Sequence, residues 1–302
     1  IDAHWGAEMT YDYYLLDHNR NSYNDNGTVM LSYVHWDVNY YNAFWDGSRM
    51  HYGDGGGNPY LSVDIVGHEM SHGVVGTSAG LQYSDESGAL NESFADIFGN
   101  SIEHFALPNQ SSWLMGEASN NTLRNMAKPS DFNDPDTYLG NSYYIGAADN
   151  GGVHTNSGVQ NFWYYLMVEG GTGTNDLGNY YEVEPMGWDT AGKVAYRNLT
   201  TYLGSLSDYE DAAIFAVEAS DDLYGACSPE SDNVYRAWYA VGVLKELSDE
   251  TIAKFNAGYS YVCSLPADID FTNLTTGGDK YEWVFGDGGI SNLTNPNHTY
   301  TS

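Results

Sequence analysis

The sequence predicts an α+β fold on three observations. Residues 1 to about 60 are rich in Tyr, Asn, Asp and Gly and hold short extended stretches such as 30–37, with one helix expected over 8–16. From Val63 onward the pattern changes. Apolar residues recur at three-to-four spacing over 63–75, 90–105, 158–168, 190–201, 209–223 and 232–243, each long enough for a helix. Gly225 and Pro229 punctuate the last pair. Strands first and helices afterwards, rather than strict alternation, argue against a layered parallel sheet. The expected organisation is a β-rich lobe over 1–62, a helical lobe over 63–264 and a separate β segment over 265–302.

The first helical stretch contains His68-Glu69-Met70-Ser71-His72. Residues four apart share a helix face, so both imidazoles can reach one metal ion. Zinc takes nitrogen, thiolate or carboxylate ligands in a tetrahedron, and a hydrolytic site leaves one corner for water. Glu69, one step round the helix, stands where it could take that water's proton. A histidine pair satisfied by ordinary hydrogen bonds is the alternative, and a third ligand decides between them. In the segment 88–99, Leu90, Phe94, Ile97 and Phe98 follow helical spacing, which groups Glu92 and Asp96 on another face. If the two helices pack antiparallel, Glu92 completes a two-histidine, one-carboxylate site. Asp96 is then placed to accept the outer N–H of a ligand histidine and fix its tautomer, with Asn91 as a further supporting residue. A solvated acidic face is the alternative for Glu92 and Asp96.

Nineteen residues separate His72 from Glu92. Further phrases follow in order: Asn42-Ala43-Phe44-Trp45-Asp46-Gly47, Ser78-Ala79-Gly80-Leu81-Gln82-Tyr83, Leu123-Arg124-Asn125-Met126, and the run from Asp149 through His154 to Gly158. Together the six blocks resemble the thermolysin-like zinc endopeptidases, the gluzincins that include vibriolysin and pseudolysin, over about residues 1 to 262. Zinc aminopeptidases with a related motif use a slightly shorter gap and an exopeptidase signature that is absent here. The metzincin motif also fails, because Val75 and Ser78 stand where its glycine and third histidine belong. The resemblance implies a two-lobed fold with the site in the cleft between lobes. Relatives carry further strands before Asp2-Ala3-His4, so either the N-terminal lobe is reduced or the sequence is a fragment.

Under that resemblance each matched residue has a role. Glu69 would act as general base toward the water, then as acid toward the leaving amine. Tyr83 and His154 would donate hydrogen bonds to the tetrahedral intermediate, with Asp149 orienting His154. Asn42, Arg124 and the carbonyl of Ala43 would hold the substrate backbone, Ala43 in strand fashion. Ile65 and Leu123 would wall a pocket for a bulky apolar residue just after the scissile bond. Asp64, Glu103 and Glu117 match carboxylates that hold structural calcium, an ion that takes hard oxygen ligands. Ser112 and Leu114 stand where relatives have further acids, so one calcium is expected rather than a pair. Structural roles remain the alternative for Tyr83 and Arg124, and ordinary surface acids for the calcium set. The resemblance implies a disulfide between Cys227 and Cys263, worth about 4 kcal/mol in the chain-entropy model; two free thiols are the alternative.

Composition agrees with a secreted enzyme. Ten basic side chains against 41 acidic ones give a net charge of −31, which argues against nucleic-acid and anionic-membrane partners. No stretch approaches transmembrane length and no signal peptide opens the sequence. Mature or excised material is expected, since the resemblance implies synthesis with a signal and an inhibitory pro-segment. Protein or peptide substrates and a monomeric state are expected.

The segment 265–302 changes character. Tyr281-Glu282-Trp283-Val284-Phe285-Gly286-Asp287-Gly288 and Asn295-Pro296-Asn297-His298-Thr299-Tyr300 resemble part of a polycystic-kidney-disease (PKD) repeat, an immunoglobulin-like β-sandwich. It supplies the main competing reading, a catalytically inactive, calcium-stabilised binding or adhesion protein. Intact Glu69, Glu92 and His154 argue against that reading.

Overall fold

The computed structural model describes residues 2–245, 255–257, 265–275 and 280–301. The chain divides into two compact units, 1–245 and 246–302, whereas composition places the change of character at 265.

The first unit opens with helix α1, Asp2–His18, a full turn and more longer than the stretch expected over 8–16. Its buried positions Ala3, Gly6, Thr10, Tyr13 and Tyr14 keep helical spacing, but the first three are small or polar and give no apolar signal. A three-stranded sheet follows, built from β1 (Ser32–Tyr33), β2 (Ala43–Trp45) and β3 (Met50–Tyr52) in the order β1-β3-β2. The extended run expected over 30–37 shortens to β1 because His35 and Asp37 adopt φ of +59° and +56°, which turns the chain out of the sheet. Strand β2 lies at the edge, antiparallel to β3 with Ala43 opposite Tyr52. One face of this sheet buries Ala43, Met50 and Tyr52 against Ile65, Val66 and Met70 of the next helix.

Helices α2 (Val63–Gly76) and α3 (Asp85–Ala106) form the centre of the unit. They meet at backbone contact through glycine. A Cβ added at Gly99 would lie 2.5 Å from the Asp64 carbonyl oxygen, and one at Gly67 would lie 3.1 Å from the Gly99 Cα. That approach brings the polar faces of both helices together. The apolar face of α3, Leu90, Phe94, Ile97 and Phe98, is fully buried in the main core. Each such side chain contributes about 1.5–3 kcal/mol of transfer free energy.

Two short hairpin strands, β4 (Leu114–Met115) and β5 (Arg124–Asn125), pair antiparallel beyond α3. Helices α4 (Asp149–Asn156) and α5 (Gly158–Glu169) follow, then the hairpin of β6 (Gly171–Thr174) and β7 (Tyr180–Val183). Helices α6 (Gly187–Arg197), α7 (Tyr209–Tyr224) and α8 (Pro229–Ala240) complete the unit. Trp163 of α5 stacks on Trp238 of α8 with centroids 4.6 Å apart, which ties the last helix into the core. The Asp208 and Ser228 side chains accept from the Asp211 and Ser231 amides, capping α7 and α8.

In the second unit the described residues form β8 (Phe255–Ala257), β9 (Ala267–Asn273), β10 (Trp283–Val284), β11 (Ile290–Ser291) and β12 (Asn297–Tyr300). Strand β9 is flanked by β12 and β8, all antiparallel, and β10 pairs with β11. Ala267, Ile269 and Phe271 point inward while Asp268, Asp270 and Thr272 point out, the period-two alternation of a half-buried strand. Cys227 is exposed; the expected partner, Cys263, lies outside the described residues.

Candidate metal centre

One turn of α2 separates His68 from His72, and α3 presents Glu92 opposite them. The two Nε2 atoms lie 3.1 Å apart. Glu92 Oε2 is 3.6 Å from His68 Nε2, and Glu92 Oε1 is 3.5 Å from His72 Nε2. Among the described residues, this trio alone brings three ligand atoms within 4.8 Å of one another.

The other ring nitrogens are already committed. His68 Nδ1–H donates to Asp96 Oδ1 at 2.8 Å, and His72 Nδ1–H donates to Asn91 Oδ1 at 2.8 Å. Asn91 is held in that orientation because its amide donates to the Leu81 carbonyl at 3.0 Å. Both Nε2 lone pairs therefore face each other, and a proton or a cation must sit between them. Burial alone would lower the proton affinity of His68, but Asp96, Glu92 and Glu69 raise it, which is the metal-free answer. A metal ion also satisfies Glu92 Oε2, which is buried and has no hydrogen-bond partner. A tetrahedron with bonds of about 2.0–2.1 Å has edges of about 3.3 Å, close to the 3.1 Å between the two Nε2 atoms and to the approach of one Glu92 oxygen to each ring. The donor set fits zinc.

Asp96 does more than orient His68. Its buried carboxylate also accepts from Arg124 Nε and Nη2, both at 2.6 Å, and from the Asn161 amide at 2.7 Å. Burial would raise its carboxyl, yet Arg124 and His68 hold it well below the usual carboxylate range. Glu92 follows the same logic. Burial pushes it up, but His72, His68, His154 and Arg124 together draw it down to about 2. Arg124 is itself buried, and its Nη1 takes no part in the Asp96 pair.

Glu69 is partly buried beside the trio, and its Oε2 accepts the Trp45 backbone N–H at 3.1 Å. That amide sits on edge strand β2, so the strand and the expected general base are directly linked. Tyr83 Oη donates to Glu92 Oε1 and lies 3.2 Å from His154 Nε2. His154 Nδ1–H donates to Asp149 Oδ1 at 2.8 Å, and its backbone N–H donates to Asp149 Oδ2 at 3.0 Å. A left-handed turn makes this double contact possible: φ is +52° at Asp149, +50° at Asn150, +95° at Gly151 and +79° at Gly152. A Cβ at Gly151 would stand 2.4 Å from Asp85 Oδ1, so glycine is required there on two counts.

The remaining expected residues are distributed as follows. Asn42 is exposed at the start of β2, where its carbonyl accepts from the Gly53 amide at 3.0 Å. Ala43 is 3 % exposed and Leu123 37 % exposed, while Ile65 packs within the small core behind the sheet. Asp64 and Glu103 are buried, and Oε2 of both Glu103 and Glu117 has no partner. The Glu103 carboxyl is pushed up to about 8 by burial first, then by Asp64 and Glu117.

Three contributors gave no warning in the sequence reading. Trp45 acts through its backbone, which no side-chain pattern announces. Asn161 was legible in principle, as a polar residue inside the apolar pattern of α5. Asp134, partly buried and pushed up to about 7 by burial against the pull of Arg124, sits in a loop without a motif.

The donor set and its hydrogen-bonded supports make a two-histidine, one-glutamate site between two helices that could hold a metal ion. The chain belongs to the thermolysin metallopeptidase family: the family's catalytic-domain profile matches residues 1–76 and its alpha-helical-domain profile matches 79–243. Bacillolysin of Brevibacillus brevis is 45% identical over 256 residues, covering 80% of this chain and 46% of that protein. Thermolysin of Alicyclobacillus acidocaldarius subsp. acidocaldarius is 42% identical over 255 residues, covering 80% of this chain and 45% of that protein. The chain thus spans less than half the length of these relatives. Among solved structures, the precursor of protealysin, a metalloproteinase from Serratia proteamaculans, superposes with a TM-score of 0.70 at 31% identity, covering 80% of this chain and 78% of that one.

Proposed function

We propose that this protein is a secreted, zinc-dependent neutral endopeptidase that hydrolyses internal peptide bonds on the N-terminal side of bulky apolar residues. The observation that carries the reading is the facing pair of Nε2 lone pairs on His68 and His72, closed by a buried, unpartnered carboxylate oxygen of Glu92. His68, His72 and Glu92 would hold the zinc, whose chemistry is to acidify a water and polarise a carbonyl.

The chain's own residues do the rest. Glu69 takes the proton of the attacking water and later delivers it to the leaving amine. Its anchor on the Trp45 amide ties that proton transfer to the strand on which a substrate would lie. Antiparallel addition to the β2 edge, through the Ala43 carbonyl and the Asn42 side chain, aligns the peptide. Arg124, with Nη1 outside the Asp96 pair, steadies the substrate backbone. Tyr83 and His154 stabilise the developing oxyanion, each lost donor costing about 3 kcal/mol of barrier. To do so Tyr83 has to turn its proton away from Glu92. Ile65 and Leu123 wall the apolar pocket.

One calcium among Asp64, Glu103 and Glu117 belongs to the same proposal. Bonds of about 2.3–2.6 Å let calcium span oxygens up to about 5 Å apart, and the unpartnered oxygens of Glu103 and Glu117 invite a cation. No helix among the described residues is long and apolar enough to cross a membrane. Secretion, release from a pro-segment and a monomeric state complete the reading. The segment 265–302 is proposed as part of a PKD-like accessory module.

The test is hydrolysis of an internally quenched peptide with one central Gly–Leu bond, with products identified by mass. Turnover should vanish with phenanthroline, return with added zinc, and cut only at Gly–Leu. A folded, zinc-loaded protein that leaves the peptide intact would sink the peptidase reading.

A further inference from the structure

The charge surrounding the metal centre is a feature that peptide-bond chemistry itself leaves unused. The chain carries −31, and its cations are largely matched already. Arg49, Arg124, Lys128, Lys193, Arg197 and Arg236 each lie 2.5–3.5 Å from an aspartate, and Arg20 is buried. The excess facing solvent is carboxylate. Near the metal centre the same imbalance holds. Glu69, Glu92, Asp96, Asp134 and Asp149 face Arg124 as the one lysine or arginine the described interactions place among them. Arg124 and a bound divalent cation supply three positive charges against these five acids, of which Asp134 is pushed up to about 7 by burial. One of these acids reaches water beside the binding elements: Asp149, paired with His154, is 40% exposed.

We propose that the protein selects cationic polypeptides, those with Lys or Arg flanking the cleaved bond, and discriminates against acidic ones. This rests on the peptidase reading above. A strongly negative body attracts a cationic chain from a distance and raises encounter rates, by about 10- to 1,000-fold where a cleft focuses the field. The residue entering the apolar pocket stays apolar; the selection acts on its neighbours. Because steering acts on encounter, it changes kcat/KM and leaves kcat nearly untouched. Salt removes it, since the screening length falls from about 30 Å at 0.01 M to about 3 Å at 1 M.

The experiment uses the full chain, loaded with zinc and calcium, on three quenched peptides that share a central Gly–Leu bond. Their flanks carry Lys, Ser or Glu. At about 0.01 M salt the Lys peptide should exceed the Glu peptide at least about 10-fold in kcat/KM, with the Ser peptide between. At about 1 M salt the ratio should fall toward one. Equal rates at low salt, or a ratio that salt does not move, would overturn this proposal while the peptidase reading stands. No turnover of any of the three by folded, zinc-loaded protein would remove the peptidase reading and this proposal with it.

Discussion

Replacing Asp96 with Asn strands a charge. Its fully buried carboxylate receives His68, both Arg124 donors and Asn161. The asparagine can still accept from one of them, but the buried Arg124 guanidinium keeps no counter-charge at hydrogen-bond distance. Removing one partner of a buried pair costs about 3–5 kcal/mol, and a domain of this size loses about 2–4 °C of Tm per kcal/mol. A fall of roughly 10 °C is expected. Zinc affinity should drop about 10- to 100-fold as well, because His68 loses the anionic acceptor that fixes its tautomer. Guanidinium unfolding of the zinc-free protein, at one fixed calcium concentration, reads the first effect without zinc linkage; competition with a chromogenic chelator reads the second. The double variant Asp96→Asn/Arg124→Met removes the stranded charge, so it should regain most of the stability and none of the zinc affinity. A single variant that loses less than about 1 kcal/mol, or a double variant no more stable than the single, would refute the ion-pair reasoning.

Two further outcomes follow from the same geometry. Glu103 has a folded pKa raised from 4.5 to about 8, so between those values the folded state holds a proton that the unfolded state has released. Without calcium, stability should fall as pH rises through that window; calcium should flatten the fall and bind more tightly at higher pH. Thermal melts in EGTA and in calcium test this, and a Tm that climbs from pH 5 to 8 without calcium would contradict it. Gly151→Ala forces a Cβ against Asp85 and strains a φ of +95°. His154 should be displaced and kcat lowered about 100-fold with zinc content unchanged, as metal analysis beside the peptide assay would show.

Much of the architecture was legible because its signals are local. Three-to-four spacing placed α2, α3, α5, α7 and α8 to within a few residues. The misses came at helix starts, where Asp85 and Pro229 open polar first turns, and in α1, whose buried face is built from Ala3, Gly6 and Thr10. The hairpin of β6 and β7 gave no apolar alternation, since Gly171–Thr174 carries only glycine and threonine. At the metal centre, spacing paired His68 with His72 and Glu92 with Asp96, each one helical turn apart, while joining the two pairs took an assumed antiparallel packing and the family resemblance. Long-range contacts carried no such mark. The Arg124–Asp96 pair spans 28 residues, and Asn161 reaches Asp96 across 65. The Trp45 amide reaches Glu69 through the backbone, where any residue but proline would serve.

Zinc content and peptide turnover, measured together on Glu69→Gln and His72→Ala, test the central claim most directly. Glu69→Gln should keep a stoichiometric zinc and lose about 10²- to 10⁴-fold in kcat, while His72→Ala should lose zinc and turnover together. Parent-level turnover in Glu69→Gln, or full zinc retention by His72→Ala, would contradict the assignment of Glu69 as the base and of His68, His72 and Glu92 as the zinc ligands.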